Sequence, residues 1–396
     1  MSRIFPEVDL SSIAWFQEGP GVRNNQFTDK GVKLLNVRNI VDNELVVNNT
    51  TTHISVKEAY SKYKHFMVEE GDLIIASSGI KVDYFNKKIA FAKKGHLPLC
   101  MNTSTIRFRT LDPRILDINY FQFYLRTKHF TKQVDRLITG SAQLNFGPSH
   151  LKQMKVLLPP LPIQKQIAAI LEKADAAREK RRQANKLTEQ FLQSAFLEMS
   201  IKKNYKKLPI SEFITGTQQT DPKKEPNKWF KYIDIESIDN KAGRITETKE
   251  FFGKVAPSRA RRVVKRGDVI VSTVRPNLNA TALVSAEYDG QLCSTGFCVL
   301  RTNNKMNNRY LFAFTRLPAF VKQLISKMKG ASYPAVNNSD VLDVRIPVPP
   351  LSEQQKFATL VEKVEQLRAK QCESEKVLEN LFGSLMQKAF KGELLS

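Results

Sequence analysis

The chain has 396 residues, of which 41% are hydrophobic, and this length is typical of two or three domains with cores of their own. Lysine and arginine number 62 against 39 aspartate and glutamate residues, so the net charge is +23. The composition excludes a disordered tail and a small stapled scaffold. The excess of cations favours a polyanionic partner such as nucleic acid, because each neutralised phosphate releases counterions. A basic protein without such a partner is the alternative.

The N-terminal residues and the cysteines bear on the cellular setting. Residues 1–12 lack the apolar core of a signal peptide, and no apolar run approaches the roughly 20 residues that span a bilayer. The cysteines show no C-x-x-C spacing, and no histidine lies at metal-ligand spacing to them. We therefore expect a reduced, cytoplasmic protein without a metal or a membrane partner.

The first half of the chain is predicted to be a mixed α/β domain followed by a long helix. Short strand-like runs are followed by an apolar-periodic helix around Ile118 to Leu137. The pair Pro159–Pro160 then ends the domain, because proline lacks an amide and disfavours helical backbone at the preceding residue. The strand-like runs lie at 31–40, 72–77 and 88–93, and the long helix is predicted at about 163–199.

The second half repeats this order. Strand-like runs at 229–238 and 268–273 precede a helix around Arg309 to Lys327. Pro349–Pro350 then precedes a second long helix, predicted at about 353–390. The order of elements alone therefore indicates two related units.

Direct superposition of the two halves supports a duplication. Pro159 and Gln164 fall on Pro349 and Gln354, 190 residues later, and VEEGDLIIASSG (68–79) matches VKRGDVIVSTVR (264–275) at an offset of 196. The changing offset is what loop insertions would produce. We predict two domains at 1–158 and 201–348, a central long helix at 159–200 and a C-terminal long helix at 349–396.

Each long helix carries a heptad-like apolar stripe. Arg181 interrupts the first stripe and Gln371 the second, and a polar position of this kind can fix the register of a helix pair. Two units related by a pseudo-two-fold axis would pair these helices antiparallel, whereas two unrelated surface helices are the alternative. The predicted interface residues are Ile167, Ile170, Ala174, Leu187 and Phe191 in the first helix, and Phe357, Leu360, Val364, Leu367, Leu378 and Leu381 in the second.

These motifs resemble the specificity subunits of Type I restriction-modification systems. Members of that family have two target recognition domains, each followed by a PPL-x-x-Q segment and a long helix, and end near AF-x-G-E-L. The corresponding segments here are PPLPIQKQ (159–166), PPLSEQQK (349–356) and AFKGEL (389–394), and the resemblance covers essentially the whole chain. Pro162 stands in the first copy where the second has Ser352, but either residue can begin a helix.

The resemblance implies an α+β fold in which two pseudo-symmetric mixed α/β target recognition domains are separated by a long antiparallel two-helix coiled coil. It implies a non-catalytic reader of a split, asymmetric sequence in double-stranded DNA. The expected partners are two methyltransferase subunits and restriction or motor subunits. S-adenosylmethionine, ATP and magnesium are expected on those partners, with no cofactor in this chain. The competing hypothesis is a coiled-coil adaptor that assembles protein partners without reading DNA.

The sequence offers little support for catalysis by the chain itself. It contains neither the N/D-P-P-F/Y loop of an adenine methyltransferase nor a G-x-x-x-x-G-K-[ST] phosphate loop. Glu247 and Lys249, with Asp234 or Asp239, could suggest a metal-dependent nuclease, but E-x-K strings are common by chance. Cys293 and Cys298 are better interpreted as small residues in or beside a strand than as nucleophiles.

Basic and amide side chains in loops are the candidates for DNA contact, because arginine suits guanine edges and asparagine suits adenine edges. The bases they read depend on loop geometry and DNA deformability, which one sequence does not disclose. The candidates in the first unit are Arg23, Asn24, Asn25, Ser77, Ser78, Lys81, Gln143 and Asn145. Those in the second unit are Arg259, Arg261, Arg262, Lys265, Arg275, Asn277, Asn279, Tyr333 and Asn337.

Overall fold

A computed structural model of the protein describes residues 5–137, 144–200, 205–240, 242–329 and 334–395. The chain divides into two compact units. Unit 1 consists of Met1–Lys180 and Glu375–Ser396, and unit 2 of Arg181–Ser374. Each unit therefore combines one α/β half of the sequence with the beginning of one long helix and the end of the other.

Unit 1 contains two four-stranded sheets and several short strand pairs. Its strands are β1 (Glu7–Asp9), β2 (Ala14–Glu18), β3 (Phe27–Thr28), β4 (Val32–Leu35), β5 (Ile40–Val41), β6 (Glu44–Leu45), β7 (His53–Ile54), β8 (Leu73–Ala76), β9 (Ser78–Ile80), β10 (Ile89–Phe91), β11 (Leu99–Met101), β12 (Thr105–Thr110), β13 (Leu144–Asn145) and β14 (Lys155–Leu157). Its helices are α1 (Leu10–Ile13), α2 (Val56–Tyr60), α3 (Ile118–Leu125), α4 (Lys128–Leu137), α5 (Pro148–Leu151) and the beginning of α6 (Leu161–Ser200).

Unit 2 is built in the same way. Its strands are β15 (Lys207–Pro209), β16 (Ile214–Thr215), β17 (Trp229–Ile233), β18 (Ile238–Asp239), β19 (Arg244–Ile245), β20 (Lys249–Phe252), β21 (Ala260–Val263), β22 (Val269–Ser272), β23 (Thr281–Leu283), β24 (Leu292–Ser294), β25 (Phe297–Thr302) and β26 (Arg345–Pro347). Its helices are α7 (Asn308–Thr315), α8 (Pro318–Ile325), α9 (Asn338–Leu342) and the beginning of α10 (Leu351–Phe390).

The sheet topology confirms that the two halves are a structural repeat. One sheet has the order β10-β8-β12-β2 in unit 1 and β23-β22-β25-β16 in unit 2, and all of its pairs are antiparallel. The second sheet contains the parallel pair β4–β11 in unit 1 and β17–β24 in unit 2. The buried strands β8 and β22 are the predicted runs 72–77 and 268–273. The mixed α/β character predicted for both halves is therefore confirmed.

The helix predicted before each proline pair is in fact two helices. In unit 1 the break lies between α3 and α4, where the Thr127 hydroxyl donates to the Tyr124 carbonyl and accepts from the Phe130 amide. In unit 2 it lies between α7 and α8, where Leu317 precedes Pro318 and adopts extended backbone. These local bonds, and the restriction before proline, override the continuous apolar period.

A buried glutamine ties each long helix to its own α/β half. The side-chain nitrogen of Gln164 donates to the carbonyls of Pro159 and Ile115, both at 2.8 Å, and its oxygen accepts from the Asp117 amide at 2.8 Å. In unit 2, Gln354 donates to the Pro349 carbonyl at 2.9 Å and accepts from the Asn307 amide at 2.8 Å. Asp117 and Asn307 are the N-cap residues of α3 and α7, so one side chain joins two helix starts.

The far end of each long helix packs against the other α/β half. Phe196, near the end of α6, stacks on Tyr310 in unit 2 with 5.0 Å between ring centroids. Phe390, at the end of α10, lies 5.4 Å from Tyr120 in unit 1. The two tyrosines are themselves equivalent, because each donates a 2.7 Å hydrogen bond to a strand carbonyl, of Pro347 and Leu157 respectively. The strings QSAF (193–196) and QKAF (387–390), which lie 194 residues apart, thus mark this aromatic contact.

Within each unit the two helix segments run antiparallel. In unit 1, Arg178 forms an ion pair with Glu379, and its guanidinium lies 4.1 Å from the centre of the Phe382 ring. Ile163 and Ile167 belong to the same apolar cluster as Ala389, further along α10, and Leu395, which follows the helix. In unit 2, Gln371 donates to the Thr188 hydroxyl at 3.0 Å, and Phe196 lies 5.4 Å from Phe357.

The predicted interface residues of the two long helices differ in burial. Ile167, Phe357 and Val364 are buried, and Ile170, Ala174, Leu360 and Leu378 are half-buried. Leu187, Phe191, Leu367 and Leu381 are instead 64%, 51%, 48% and 48% exposed. The inter-helix contacts involve Gln371, the polar position of the predicted second stripe, and positions beside the stripes such as Thr188 and Phe382. Exposure does not increase steadily along the helix, since Leu367 is exposed whereas Leu378, eleven residues later, is half-buried.

A buried aspartate–arginine cluster braces the main sheet of each unit. Asp72 precedes β8, and its side chain, 1% exposed, lies 3.1 Å from Arg107 and also pairs with Arg109. Burial lowers the pKa of Arg107, whereas the hydrogen bond to Asp72 raises the pKa of Arg109. In unit 2 the Asp268 carboxylate pairs with Arg301 at 2.8 Å, and their hydrogen bond raises the pKa of Arg301.

Within the described residues, no helix is both long and apolar enough to cross a membrane.

Replacing Gln164 with leucine should destabilise the protein strongly, because it leaves the Asp117 amide and two carbonyls without their buried partner. We expect a loss of about 2–4 kcal/mol in the free energy of unfolding, measured by urea denaturation. Gln166→Leu, two residues along on an exposed position, is the matched control and should change it by less than about 0.5 kcal/mol. Equal midpoints for the two variants would contradict the proposed role of the buried amide.

Candidate nucleic-acid interface

In unit 1, loops from five parts of the chain meet at one edge of the sheets. The amide of Ser77, just after β8, donates to the Ser104 carbonyl at 3.0 Å, and the Ser77 carbonyl accepts from the Phe146 amide at 3.0 Å. The Ser104 hydroxyl accepts from the Val37 amide at 3.0 Å. The segments brought together are 19–25, 36–38, 77–81, 102–104 and 145–147; we call this set the unit 1 loop cluster.

Asn102 anchors the most exposed of these loops. Its side-chain oxygen accepts from the amides of Val22 and Thr103 at 3.3 and 2.9 Å, and its nitrogen donates to the Asn36 side chain at 3.1 Å. Gly19 packs so closely on Asn102 that a Cβ there would lie 2.3 Å from the Asn102 carbonyl oxygen. The loop is therefore fixed at its base, and its tip exposes the predicted residues Arg23, Asn24 and Asn25.

The remaining unit 1 candidates fall into different environments. Lys81 and Asn145 are exposed, and Asn145 lies opposite the half-buried Ser78 in the pair β13–β9. Ser77 is fully buried, and its hydroxyl donates to the Thr103 carbonyl at 3.3 Å. Ser77 thus supports the loops from below instead of offering its side chain to a ligand. Gln143 lies outside the described residues.

Unit 2 has the same arrangement, which we call the unit 2 loop cluster. Thr273, just after β22, takes the place of Ser77: its amide donates to the Gly296 carbonyl at 2.8 Å, and its carbonyl accepts from the Val336 amide at 2.9 Å. A Cβ at Gly296 would contact Ile235 at 3.4 Å, as the loop after β17 passes close by. The segments involved are 235–238, 273–279, 294–296 and 334–338.

The arginines of segment 257–267 differ in their contacts with the rest of unit 2. Arg259 is exposed, and its carbonyl accepts from the Thr295 amide at 2.9 Å, which places it beside the unit 2 loop cluster. Arg261 forms an ion pair with Asp221. The two terminal nitrogens of Arg262 lie 2.8 and 3.0 Å from one terminal atom of the Asn338 side-chain amide, which accepts from both when the amide is turned so that this atom is its oxygen. Of these three arginines, Arg259 is exposed, whereas Arg261 and Arg262 are half-buried.

The other unit 2 candidates lie at or near the same edge. Arg275, Asn277 and Asn337 are exposed in the unit 2 loop cluster, and the half-buried Asn279 accepts from the Thr281 hydroxyl at 3.0 Å. Lys265 is exposed, but its amide donates to the Asp268 carboxylate at 2.8 Å, so it belongs to the aspartate–arginine cluster. Tyr333 lies outside the described residues.

Sequence reasoning missed the residues that hold the loops. Asn102 and its neighbours Thr103 and Ser104 form a polar triplet between the buried strands β11 and β12, and residues 294–296 form its counterpart in unit 2. Such a triplet between two apolar runs was the available signal. Glu18 was also missed: its carboxylate lies by Gly147, and burial raises its pKa. A carboxylate here could accept from the amino group of cytosine.

Of the residues considered for catalysis, Lys249 is engaged in ion pairs and the two cysteines are buried in strands. Lys249 pairs with Asp234 and lies 3.5 Å from Glu236. Across the described segments, no group of three or more histidine, cysteine, aspartate or glutamate side chains could hold a metal ion. Cys293 lies buried in β24, and burial raises the pKa of its thiol to about 12. Cys298 is buried in β25, and burial raises its thiol pKa to about 11. Both thiols are therefore protonated at neutral pH.

The chain is similar in sequence to two proteins that are named as type I restriction enzyme specificity subunits. A protein of Methanocaldococcus jannaschii assigned as the MjaX type I restriction enzyme specificity subunit is 26% identical over 63% of this chain and 61% of its own length. The MjaVIII type I restriction enzyme specificity subunit of the same organism is 24% identical over 77% of this chain and 74% of its own length. The chain thus spans about three fifths of the first relative.

A solved structure agrees in fold over nearly the full length. The S subunit of a type I restriction-modification system from M. genitalium covers 98% of this chain and 96% of its own, with a TM-score of 0.57 and 15% identity. The model of the type I restriction modification DNA specificity domain matches this chain twice, at residues 5–189 and 203–379. Since these two matches take up most of the sequence, the chain belongs to the type I restriction modification DNA specificity domain family.

Proposed function

We propose that the protein is the DNA-binding specificity subunit of a Type I restriction-modification complex, which reads a bipartite, asymmetric target and directs adenine methylation and restriction by partner subunits. The observation that carries this proposal is the duplicated loop cluster: the same hydrogen-bonded scaffold presents two different sets of exposed arginine, lysine and asparagine side chains. In unit 1 these are Arg23, Asn24, Asn25, Lys81 and Asn145, and in unit 2 Arg259, Arg275, Asn277 and Asn337.

Two scaffolds with different side chains suit a target of two different halves. The net charge of +23 supplies the phosphate attraction, while side chains at the loop tips supply base contacts. We propose residues 1–158 and 201–348 as the two target recognition domains, one for each half-site. Access to chromosomal DNA implies a cytoplasmic location.

We propose that catalysis resides in the partners. Two methyltransferase subunits would supply S-adenosylmethionine chemistry, and restriction subunits would supply ATP-driven motor and magnesium-dependent nuclease functions. A pair of equivalent surface residues supports two methyltransferase copies: Leu187 in unit 2 and Leu381 in unit 1 lie 194 residues apart and are 64% and 48% exposed. An exposed leucine at the same position of each repeat suits a partner that binds twice.

We further propose that α6 and α10 act as one antiparallel coiled coil that sets the distance between the half-sites. The support comes from within each unit, where the two helix segments run antiparallel and the glutamine and aromatic contacts fix both helix ends. Each 40-residue helix would be about 60 Å long. Such a length exceeds what packing on a single small domain requires.

DNA binding by the chain with its methyltransferase partner should depend steeply on salt. A site with roughly 6 to 10 phosphate contacts loses about 10³- to 10⁵-fold in affinity between 50 and 200 mM salt. Arg259→Ala should reduce the slope of log affinity against log salt by about one. Lys305→Ala removes one exposed charge from the loop between β25 and α7 and serves as the control. A flat salt dependence would favour the adaptor hypothesis over DNA reading.

Leu187→Asp and Leu381→Asp should each remove one methyltransferase copy from the complex, because burying an unpaired carboxylate in an interface is costly. Native mass measurement should then give one bound copy for either variant, none for the double variant, and two for the unaltered chain. Leu111→Asp, at another exposed leucine, should retain two copies. If both single variants still bound two copies, these leucines would not be the docking positions.

Lengthening both helices should change the spacer but not the half-sites. Four added residues in each of α6 and α10 make about one turn, or roughly 6 Å, which is close to two base pairs of DNA. Methylome sequencing should then find both half-site sequences unchanged and one or two more unread bases between them. Exchanging residues 1–158 for the domain of a relative should alter one half-site only. An active complex with an unaltered spacer would refute the proposed ruler.

A further inference from the structure

Arg275 has a backbone conformation that is unusual for its residue type. Its φ and ψ are +49° and +57°, in the left-handed region. Non-glycine residues other than asparagine and aspartate are uncommon there, because the Cβ crowds the backbone. Arg275 also precedes Pro276, where extended backbone is preferred. Such outliers persist where the surrounding structure imposes them, and they concentrate at functional sites.

The surrounding hydrogen bonds hold Arg275 in this conformation. Its amide donates to the Pro334 carbonyl at 2.8 Å, and its carbonyl accepts from the Leu278 amide at 2.9 Å. The first bond ties the loop after β22 to the segment before α9, and the second closes the 3₁₀ turn Pro276–Leu278. The left-handed backbone is thus a requirement of the loop at this position.

The equivalent residue in unit 1 is a glycine. Ser77 and Thr273 occupy the same place, because each bonds in the same way to the two neighbouring segments. Two residues further along, Gly79 stands in unit 1 and Arg275 in unit 2, and Gly79 also has a positive φ, of +76°. Glycine meets this conformational requirement without steric cost, so the backbone conformation at this position does not by itself call for an arginine.

Arginine at this position does have a chemical use. Its planar guanidinium can donate two parallel hydrogen bonds to O6 and N7 of guanine in the major groove. Arg275 is exposed in the unit 2 loop cluster, where the exposed Asn277 follows two residues later. We propose that Arg275 is a specificity-determining residue that reads a guanine in the half-site of unit 2, while Gly79 leaves unit 1 without that contact. This inference rests on the proposed function.

Arg275→Gly tests the proposal, since it removes the side chain and relieves the backbone. The full chain is expressed with its methyltransferase subunit, and the methylated motif is mapped by methylome sequencing. We expect one guanine-bearing position of one half-site to become degenerate. Affinity for a duplex of the mapped motif should fall on the order of 10- to 100-fold, while the variant still assembles with the methyltransferase subunit. Arg275→Lys should keep the salt dependence but lose most of the discrimination.

Asp42→Gly is the matched control, because Asp42 also has a positive φ, of +46°, but lies in the turn between β5 and β6. It should leave the motif unchanged. Two results with Arg275→Gly would overturn the assignment: an unchanged motif or a uniform loss of affinity at all sequences. Relaxation at an A·T position would also overturn it. A wild-type complex that methylates no split motif would instead overturn the proposed function, and this inference with it.

Discussion

The buried side-chain amides of Gln164 and Gln354 are the constraint on which the arrangement of each unit depends. A glutamine amide has two donors and an acceptor, and each of these two uses both kinds of group inside the protein. The carbonyl it contacts belongs to the proline pair, and the amide it accepts from belongs to an N-cap residue. The direction in which the long helix leaves its α/β half is therefore fixed by directional bonds as well as by apolar packing.

This constraint explains the spacing of the doubled PPL-x-x-Q string. The prolines end the last strand pair of the α/β half and begin the helix, and the glutamine must follow one turn later to reach back to the carbonyl of the first proline. Ser352 and Pro162, which differ between the copies, lie between these fixed points. Leucine or glutamate in place of the glutamine would leave buried backbone groups unpaired, which costs about 1–3 kcal/mol for each group. The motif is thus a structural joint and carries no information about bases.

The sequence could predict the elements that repeat but not the contacts that each unit makes for itself. The offsets of 190 to 196 residues identified the strands β8 and β22 and both long helices, because burial and helical periodicity leave strong local patterns. The pairing of Arg261 with Asp221, 40 residues away, and of Arg262 with Asn338, 76 residues away, leaves no local pattern. A cluster of arginines therefore appeared uniform, although its members differ in their surroundings.

The sequence also did not show which side chains of the long helices and of the loop clusters are buried. The sequence did not distinguish the exposed from the half-buried members of the predicted stripe: Leu367 and Leu378 both belong to it, but only Leu367 is exposed. Ser77 was chosen as a polar residue after a strand, yet its hydroxyl is used inside the protein. Polarity alone does not distinguish a side chain that supports a loop from one that the loop presents.

Within each unit, the contacts that hold the loops and the long helix can be distinguished from the side chains that the loop tips expose. The bonds that shape the loop clusters come mainly from backbone groups and from a few buried side chains such as Asn102. The glutamine joint and the aspartate–arginine cluster lie elsewhere in the unit and involve none of the tip residues. Side chains at the tips can therefore differ between the two units without disturbing the sheets or the helices. A duplicated chain of this kind can carry two unlike recognition surfaces on one scaffold, which is the property that an asymmetric target requires.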